Sequence, residues 1–250
     1  GLLNRPDSYR TEYLDFRSEV QPSFNQEWSI FAGLTRNRFE TGSQSSVADP
    51  VRPEKAESAS VQARYRHAID PGHEWGLAAS WTRETGDDSF DVPLLSGSPL
   101  HIDGARKASR YALEYQHYKD VASDWRASWG IEYQYDELAS IQLFNTSQLQ
   151  TSAVWRAFLN QEWKPSEHWT FNLGGLVERD SLSPAQFAPR LAVNWKPVPE
   201  HTFKLGYSSA FRSPSLFEQK ADWRIAHEGR TLVIRYLSRG GLVPERVRAW

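Results

Sequence analysis

The chain has 250 residues, a formal net charge of −2, no cysteine and 11 tryptophans. This charge argues against a nucleic-acid-binding protein, which needs a basic face, and the lack of cysteine excludes disulfides and thiolate metal sites. The mean hydropathy is −0.64, and no run approaches the roughly 18 apolar residues of a membrane helix. A membrane β-barrel remains open, because its strands are apolar on one face only.

Alternation of apolar and polar residues with a period of two is the main signal along the chain. It is clearest from Asp124 to Asp136, where the odd positions are apolar or aromatic and the even positions are polar or glycine. Strands are predicted at 8–20, 26–39, 57–69, 74–85, 107–119, 124–136, 150–163, 168–179, 187–196 and 201–211, with another beginning near 242.

Four of these strands open with a tryptophan directly after a polar residue: Trp28, Trp75, Trp125 and Trp169. Indole rings favour the boundary between lipid and water. The shared position predicts an aromatic girdle on the outer face of a barrel, just above one rim.

Connections between the predicted strands alternate in length. Short turns are predicted near 21–26, 70–73, 120–123, 164–167 and 196–200, and longer polar connections near 40–57, 86–107, 137–149 and 212–240, with one shorter at 180–185. Short periplasmic turns and long outer loops are typical of membrane barrels. A soluble barrel or sandwich is the alternative, but it leaves the long connections unexplained.

The late part of the sequence carries a family resemblance. The segment from Phe203 to Gln219, FKLGYSSAFRSPSLFEQ, is a strand ending in a Phe-Arg-x-Pro break, and a Leu-x-Pro-Glu re-entry follows at 242–245. With Trp163-Lys-Pro, Leu173-Gly-Gly-Leu and Phe187-Ala-Pro-Arg-Leu before it, this order resembles the TonB-dependent outer-membrane receptors of Gram-negative bacteria.

The resemblance implies an all-β fold, an antiparallel transmembrane β-barrel of about 22 strands closed by a plug. Residues 1–250 would supply about 10–11 of those strands as part of the barrel domain, without the plug or its TonB-binding segment. Because the sequence lacks an initial methionine and stops within a strand, we expect a piece of a longer protein.

The same resemblance implies active import of a ferric siderophore, or of haem, across the outer membrane. The expected partners are this ligand, TonB through the plug, and outer-membrane lipid and lipopolysaccharide; no nucleic acid, resident cofactor or metal site is expected. Phe211, Arg212, Pro214, Pro244 and Glu245 are interpreted as structure at the barrel rim, with Arg212 pairing with a carboxylate such as Glu218. The re-entry departs from many relatives in reading Arg239-Gly-Gly-Leu-Val-Pro-Glu, which leaves the ligand class open.

The loop between the break and the re-entry carries the candidate ligand contacts: Trp223, Arg224, His227, Arg230 and Arg235. Arginine forks and aromatic rings suit an anionic ferric chelate or haem propionates. In haem receptors of the family an axial histidine lies in the equivalent loop, which makes His227 a haem candidate; an exposed, solvated loop is the alternative.

Two further function classes remain open from sequence alone: an outer-membrane enzyme in a barrel of about 12 strands, and a passive pore. No Gly-x-Ser-x-Gly or phosphate-binding glycine loop is present. An enzyme would have to assemble serine, histidine and an acid across strands, for instance His117 with Ser128. Enzymatic activity is therefore not expected.

Overall fold

The computed structural model describes residues 8–94, 97–227 and 230–250, and the side chains of 225–227 and 230–235 lie outside this description. The strands are β1 (Tyr9–Ser23), β2 (Gln26–Thr41), β3 (Arg52–Asp70), β4 (His73–Asp87), β5 (Ser89–Val92), β6 (Leu100–Asp103), β7 (Arg106–Ala122), β8 (Trp125–Ala139), β9 (Gln150–Ser166), β10 (Trp169–Asp180), β11 (Ser183–Val198), β12 (His201–Arg212), β13 (Asp222–His227), β14 (Arg230–Leu237) and β15 (Glu245–Ala249). The helices are α1 (Ile141–Phe144) and α2 (Leu216–Lys220). Within the described residues, neither helix has the length and apolarity that a membrane-crossing helix needs.

Eleven strands form one antiparallel sheet in the order β1-β2-β3-β4-β7-β8-β9-β10-β11-β12-β15. Two separate hairpins, β5–β6 and β13–β14, lie within long connections. The predicted all-β antiparallel fold of 10–11 main strands is confirmed, and β1 and β15 form the outer edges of what is a partial barrel.

At one rim, five two-residue turns join neighbouring strands, at 24–25, 71–72, 123–124, 167–168 and 199–200. In the second of them, Gly72 has φ of +88°, and a Cβ there would lie 2.3 Å from Asp120 Oδ2. Pro71 followed by a glycine with positive φ is typical of a tight type II turn. The turns predicted at Asp70–His73 and Lys164–Glu167 therefore share one rim, and every long connection lies at the other.

Cross-strand register assigns each side chain to one of two faces. Residues directly opposite each other share a face, so Trp28, Tyr65, Leu77 and Tyr115 form a row that continues to Ile131. We call this the apolar face, and Ile131 is 45% exposed on it. Exposed aliphatic and aromatic side chains of this kind are what a lipid-facing barrel wall presents.

The predicted aromatic girdle is present on the apolar face. Register places Trp75 opposite His67 and His117, and Trp125 opposite Trp163, in phase with Trp28. Successive rings are in contact: Trp28 with Tyr65 at 4.5 Å, and Trp169 with Trp195 at 5.7 Å between centroids. All four predicted tryptophans thus lie on one face near the rim of short turns.

The opposite, polar face carries charged rows such as Glu114, Glu132, Arg156 and Glu178. At the rim of long connections, α1 packs against β13 and α2. The buried apolar side chains of the described residues belong to these connections and the adjoining strand ends: Leu100, Ile102, Phe144, Val154 and Ala221. The small core therefore lies at this rim, and the sheet below it is a wall with two exposed faces.

Candidate functional site

A cavity of about 630 Å³ opens on the polar face at the rim of long connections. One wall comes from strands β4 and β7–β10 and the turn after β10, and the other comes from the end of β12 and the segment that turns back over it. Pro214, which is buried and cannot donate to a strand ladder, ends β12 and allows this turn. Lining side chains include Arg110, Asp136, Arg156, Glu178, Asp180, Phe211, Ser213 and Phe217.

Arg156 is the centre of a charge network in this cavity. Its Nε donates to Glu178 at 2.7 Å, and its Nη1 donates to Glu132 at 3.1 Å and to Gln134 at 3.2 Å. Glu178 is only 6% exposed and also accepts from the hydroxyl of Ser213. The network therefore ties strands β8, β9 and β10 to the segment after β12.

A second arginine, Arg110, is held by Asp136 through two parallel hydrogen bonds of 2.7 and 3.1 Å. Both arginines of the cavity are matched by carboxylates, and the lining also includes Glu84, Glu137 and Asp180. The wall is therefore strongly polar and can be wetted, and it carries more acidic than basic residues.

Arg212 joins three parts of the chain in what we call the rim clamp, formed with Glu218 and Glu245. Its guanidinium donates two hydrogen bonds of 3.0 Å to Glu218 and two of 3.2 and 3.3 Å to Glu245, its cross-strand partner on β15. The ion pair with Glu218 expected from the sequence is present. The clamp brings the Phe-Arg-x-Pro break and the Pro-Glu re-entry together.

The clamp also fixes α2. The hydroxyl of Ser215 accepts from the backbone N–H of Glu218 at 3.2 Å, while Glu218 Oε2 accepts from the backbone N–H of Ser215 at 2.7 Å. This capping box satisfies two helix-terminal donors. Arg212, aided by Ser215, lowers the pKa of Glu218 to about 2.

The rim clamp should weaken in acid. Because folding lowers the pKa of Glu218, its ionised form contributes fully to rim stability above pH 4.5, and this contribution is lost as the pH falls towards about 2. Pepsin cleavage beside Phe217 should accelerate across that pH window.

The matched control is Glu218→Gln, which keeps the side-chain shape but cannot ionise. In this variant, cleavage should be fast at every pH of the window and lack the acid-dependent step. Identical pH profiles for the two proteins would contradict the assignment.

The rest of the loop is tied to the sheet by Gln219, which is 6% exposed. Its amide donates to the carbonyl of Leu182 at 3.1 Å and to that of Leu242 at 2.8 Å, and its Oε1 accepts from the backbone N–H of Leu242 at 3.1 Å. Phe217 stacks on Tyr236 with centroids 5.2 Å apart. The re-entry that contains Pro244 is thereby anchored to α2.

The five candidate ligand contacts belong to the β13–β14 hairpin. Trp223 and Arg224 lie on β13, where Arg224 is already engaged by an ion pair with Asp222. The backbone of His227 pairs with that of Arg230 near the hairpin tip, while the side chains of His227, Arg230 and Arg235 lie outside the described residues. The hairpin brings these five residues onto one element, and their role in ligand binding stays a prediction.

The network of Arg110 and Arg156 was not predicted from the sequence. Their partners lie 22 to 26 positions away in the chain, so only the register of neighbouring strands reveals the pairs. The enzyme arrangement of His117 with Ser128 is wrong, because His117 is opposite Trp129 on the apolar face while Ser128 is opposite Tyr118 on the polar face.

Comparison with known proteins gives a family match over almost the whole chain, residues 2–250 matching the β-barrel of TonB-dependent receptor-like proteins. A curated relative, the iron-regulated outer membrane virulence protein of Vibrio cholerae, is 29% identical over 99 residues, which are 38% of this chain and 15% of that protein.

Two solved structures share the fold. The siderophore receptor PirA from Pseudomonas aeruginosa superposes with a TM-score of 0.73 at 13% identity, covering 96% of this chain and 42% of that one. A mutant ferric enterobactin receptor, PfeA, from the same organism gives 0.65 at 11% identity, covering 85% and 35%. The chain thus spans less than half the length of these receptors. Because the family model matches from residue 2 to residue 250, the chain belongs to the TonB-dependent receptors, transport receptors of the Gram-negative outer membrane, and forms part of their β-barrel.

Proposed function

We propose that residues 1–250 are part of the barrel domain of a receptor that captures a ferric siderophore and imports it across the outer membrane with energy delivered through TonB. The match to the receptor family over residues 2–250 carries this proposal. The iron-regulated relative in Vibrio cholerae supports iron as the cargo. TonB would act through a plug supplied by another part of the protein.

Capture begins at the loop between β12 and β15. From Lys220 to Arg239 this loop has five fixed cations and one histidine against two acids, Asp222 and Glu228. An excess of positive charge attracts an anionic chelate and raises its association rate. Arg224, which pairs with Asp222, is a candidate for ligand contact together with Arg230 and Arg235.

Passage then follows the polar face. The clamp and Gln219 hold the loop base beside the cavity, so a ligand released by the hairpin meets the wall around Arg110 and Arg156. There the paired charges offer polar contacts without a single strong anion trap, which favours onward movement once the plug rearranges. No covalent chemistry is needed.

Uptake of a radiolabelled ferric siderophore by cells producing the intact receptor tests the proposal. Arg224→Gln combined with Arg230→Gln should slow uptake, most strongly at low ionic strength, because steering by exposed charges is screened by salt. Arg38→Gln is the matched control. Arg38 lies at the same rim on β2, but it is in phase with Leu34 and so belongs to the apolar face. Uptake unchanged by the double substitution would remove this loop as the binding site.

His227→Ala separates the two iron sources. Siderophore uptake should persist in this variant. If the wild-type receptor takes up no siderophore and His227→Ala abolishes haem-dependent growth, the ligand is haem and not a siderophore.

A further inference from the structure

Two histidines that are 44 positions apart meet on the apolar face near the rim of short turns. His73 begins β4 and His117 lies on β7, and their Nε2 atoms are 3.0 Å apart. Register places His73 opposite Lys119 and Trp75 opposite His117, so the two histidines are diagonal neighbours on adjacent strands. The side chain of His73 is 20% exposed, so the pair is accessible from the rim.

The outer nitrogen of each ring faces a polar partner. His117 Nδ1 is 2.8 Å from the hydroxyl of Tyr115, and His73 Nδ1 is 3.8 Å from Asp70 Oδ2. Histidines that bind metals usually direct their second nitrogen at an oxygen, which fixes the tautomer and the ring orientation. Here both Nε2 atoms are left facing each other.

Aromatic packing fixes the ring of His117. It stacks on Trp129 with centroids 5.0 Å apart and an interplanar angle of 13°, and it contacts Tyr115 edge-on at 6.2 Å. The ring of His73 lies 5.0 Å from that of His117. The ring of His117 is therefore held in place with its Nε2 beside that of His73.

We propose that His73 and His117 chelate a divalent transition metal, with copper(II) the best fit. Imidazole nitrogens lie about 2.0–2.1 Å from a metal that they bind. At this bond length, two adjacent nitrogens are about 2.9 Å apart in a square arrangement and about 3.3 Å apart in a tetrahedral one. The observed 3.0 Å is close to the square arrangement, which copper(II) and nickel(II) prefer, and copper binds more tightly than nickel.

Proton positions change simply when the metal binds. In the free pair, one Nε2–H donates to the other Nε2. Binding requires both Nε2 lone pairs, so each ring then carries its proton on Nδ1, where Tyr115 faces His117 and Asp70 faces His73. Among the described residues, no group of three or more histidines, cysteines or carboxylates could hold a metal, so water would complete the coordination.

Copper(II) titration of the intact, metal-free receptor in lipid vesicles, followed by electron paramagnetic resonance, tests this site. The wild-type protein should show a copper signal split by two imidazole nitrogens. Tyr115→Phe should weaken binding about 10–100-fold, the usual effect of losing an outer-sphere partner. His73→Ala and His117→Ala should each weaken it further and remove the two-nitrogen signal.

His168→Ala is the matched control, because His168 lies at another short turn and its Nδ1 contacts the carbonyl of Lys196 at 2.7 Å. This variant should bind copper as the wild type does. Heat-dependent mobility on gels establishes that each variant has folded. A two-nitrogen signal that survives in both folded His73→Ala and His117→Ala would overturn the proposal, as would its absence in the wild type.

Discussion

Replacing Ile131 by arginine should prevent most of the protein from assembling into lipid. Ile131 lies near the middle of β8 and is 45% exposed on the apolar face. Its cross-strand neighbours there are Tyr115 and Ala157, neither of which can compensate a charge. A cation at the midplane of a barrel costs roughly 2–4 kcal/mol, a large share of the stability of an ordinary domain.

Ser128→Arg, three residues away on the same strand, is the control. Ser128 shares the polar face with Asn160, its partner on β9, and an arginine there can remain hydrated. Folding yields of the intact receptor in lipid vesicles, measured by heat-dependent mobility on gels, compare the two variants. Equal yields would show that the assignment of the two faces is wrong.

The main strands could be predicted because the wall of a barrel repeats one local rule. In β8, every odd residue from Trp125 to Tyr135 is apolar or aromatic, so strand, phase and face follow from the sequence alone. The strands extend two or three residues beyond several predicted ends, as β1 and β9 do. The observed turns have only two residues each, so less of the chain lies outside the sheet than the predicted turns implied.

The elements within the long connections could not be predicted in the same way. Hairpin β5–β6 and helix α1 have only four residues per element, which is too short for a period to show. A signal did exist for α2, since Ser215 and Glu218 have the spacing of a capping box. In so long a loop, however, a serine and a glutamate at this spacing also occur by chance, so the spacing alone does not predict a helix.

The candidate site was predicted in part. Arg212 and Glu218 are close in sequence, so their pairing could be expected, whereas Glu245 joins them only because β12 and β15 are neighbours. Pairs such as His73 with His117 depend on strand register, which a single sequence specifies weakly until the strand order is known. Contacts between residues close in sequence could therefore be predicted, whereas contacts between residues on different strands could not.

Arg156→Met should destabilise the barrel by on the order of 3 kcal/mol, the lower end of the cost of removing one partner from a buried ion pair. The side chain of Arg156 is 28% exposed and that of Glu178 only 7%, so the carboxylate that would remain is well shielded from water. Without the arginine, Glu132 and Glu178 flank the same position with two negative charges.

Arg110→Met on the same face is the matched comparison. Arg110 is 56% exposed beside Asp136, and exposed ion pairs contribute about 0–1 kcal/mol. The midpoint of urea unfolding in lipid vesicles, followed by tryptophan fluorescence, should therefore shift much less than in Arg156→Met. Adding Glu132→Gln and Glu178→Gln to Arg156→Met removes the uncompensated charges and should restore most of the lost stability. If the triple variant is no more stable than Arg156→Met, packing of the arginine stem and not its charge holds this part of the wall together.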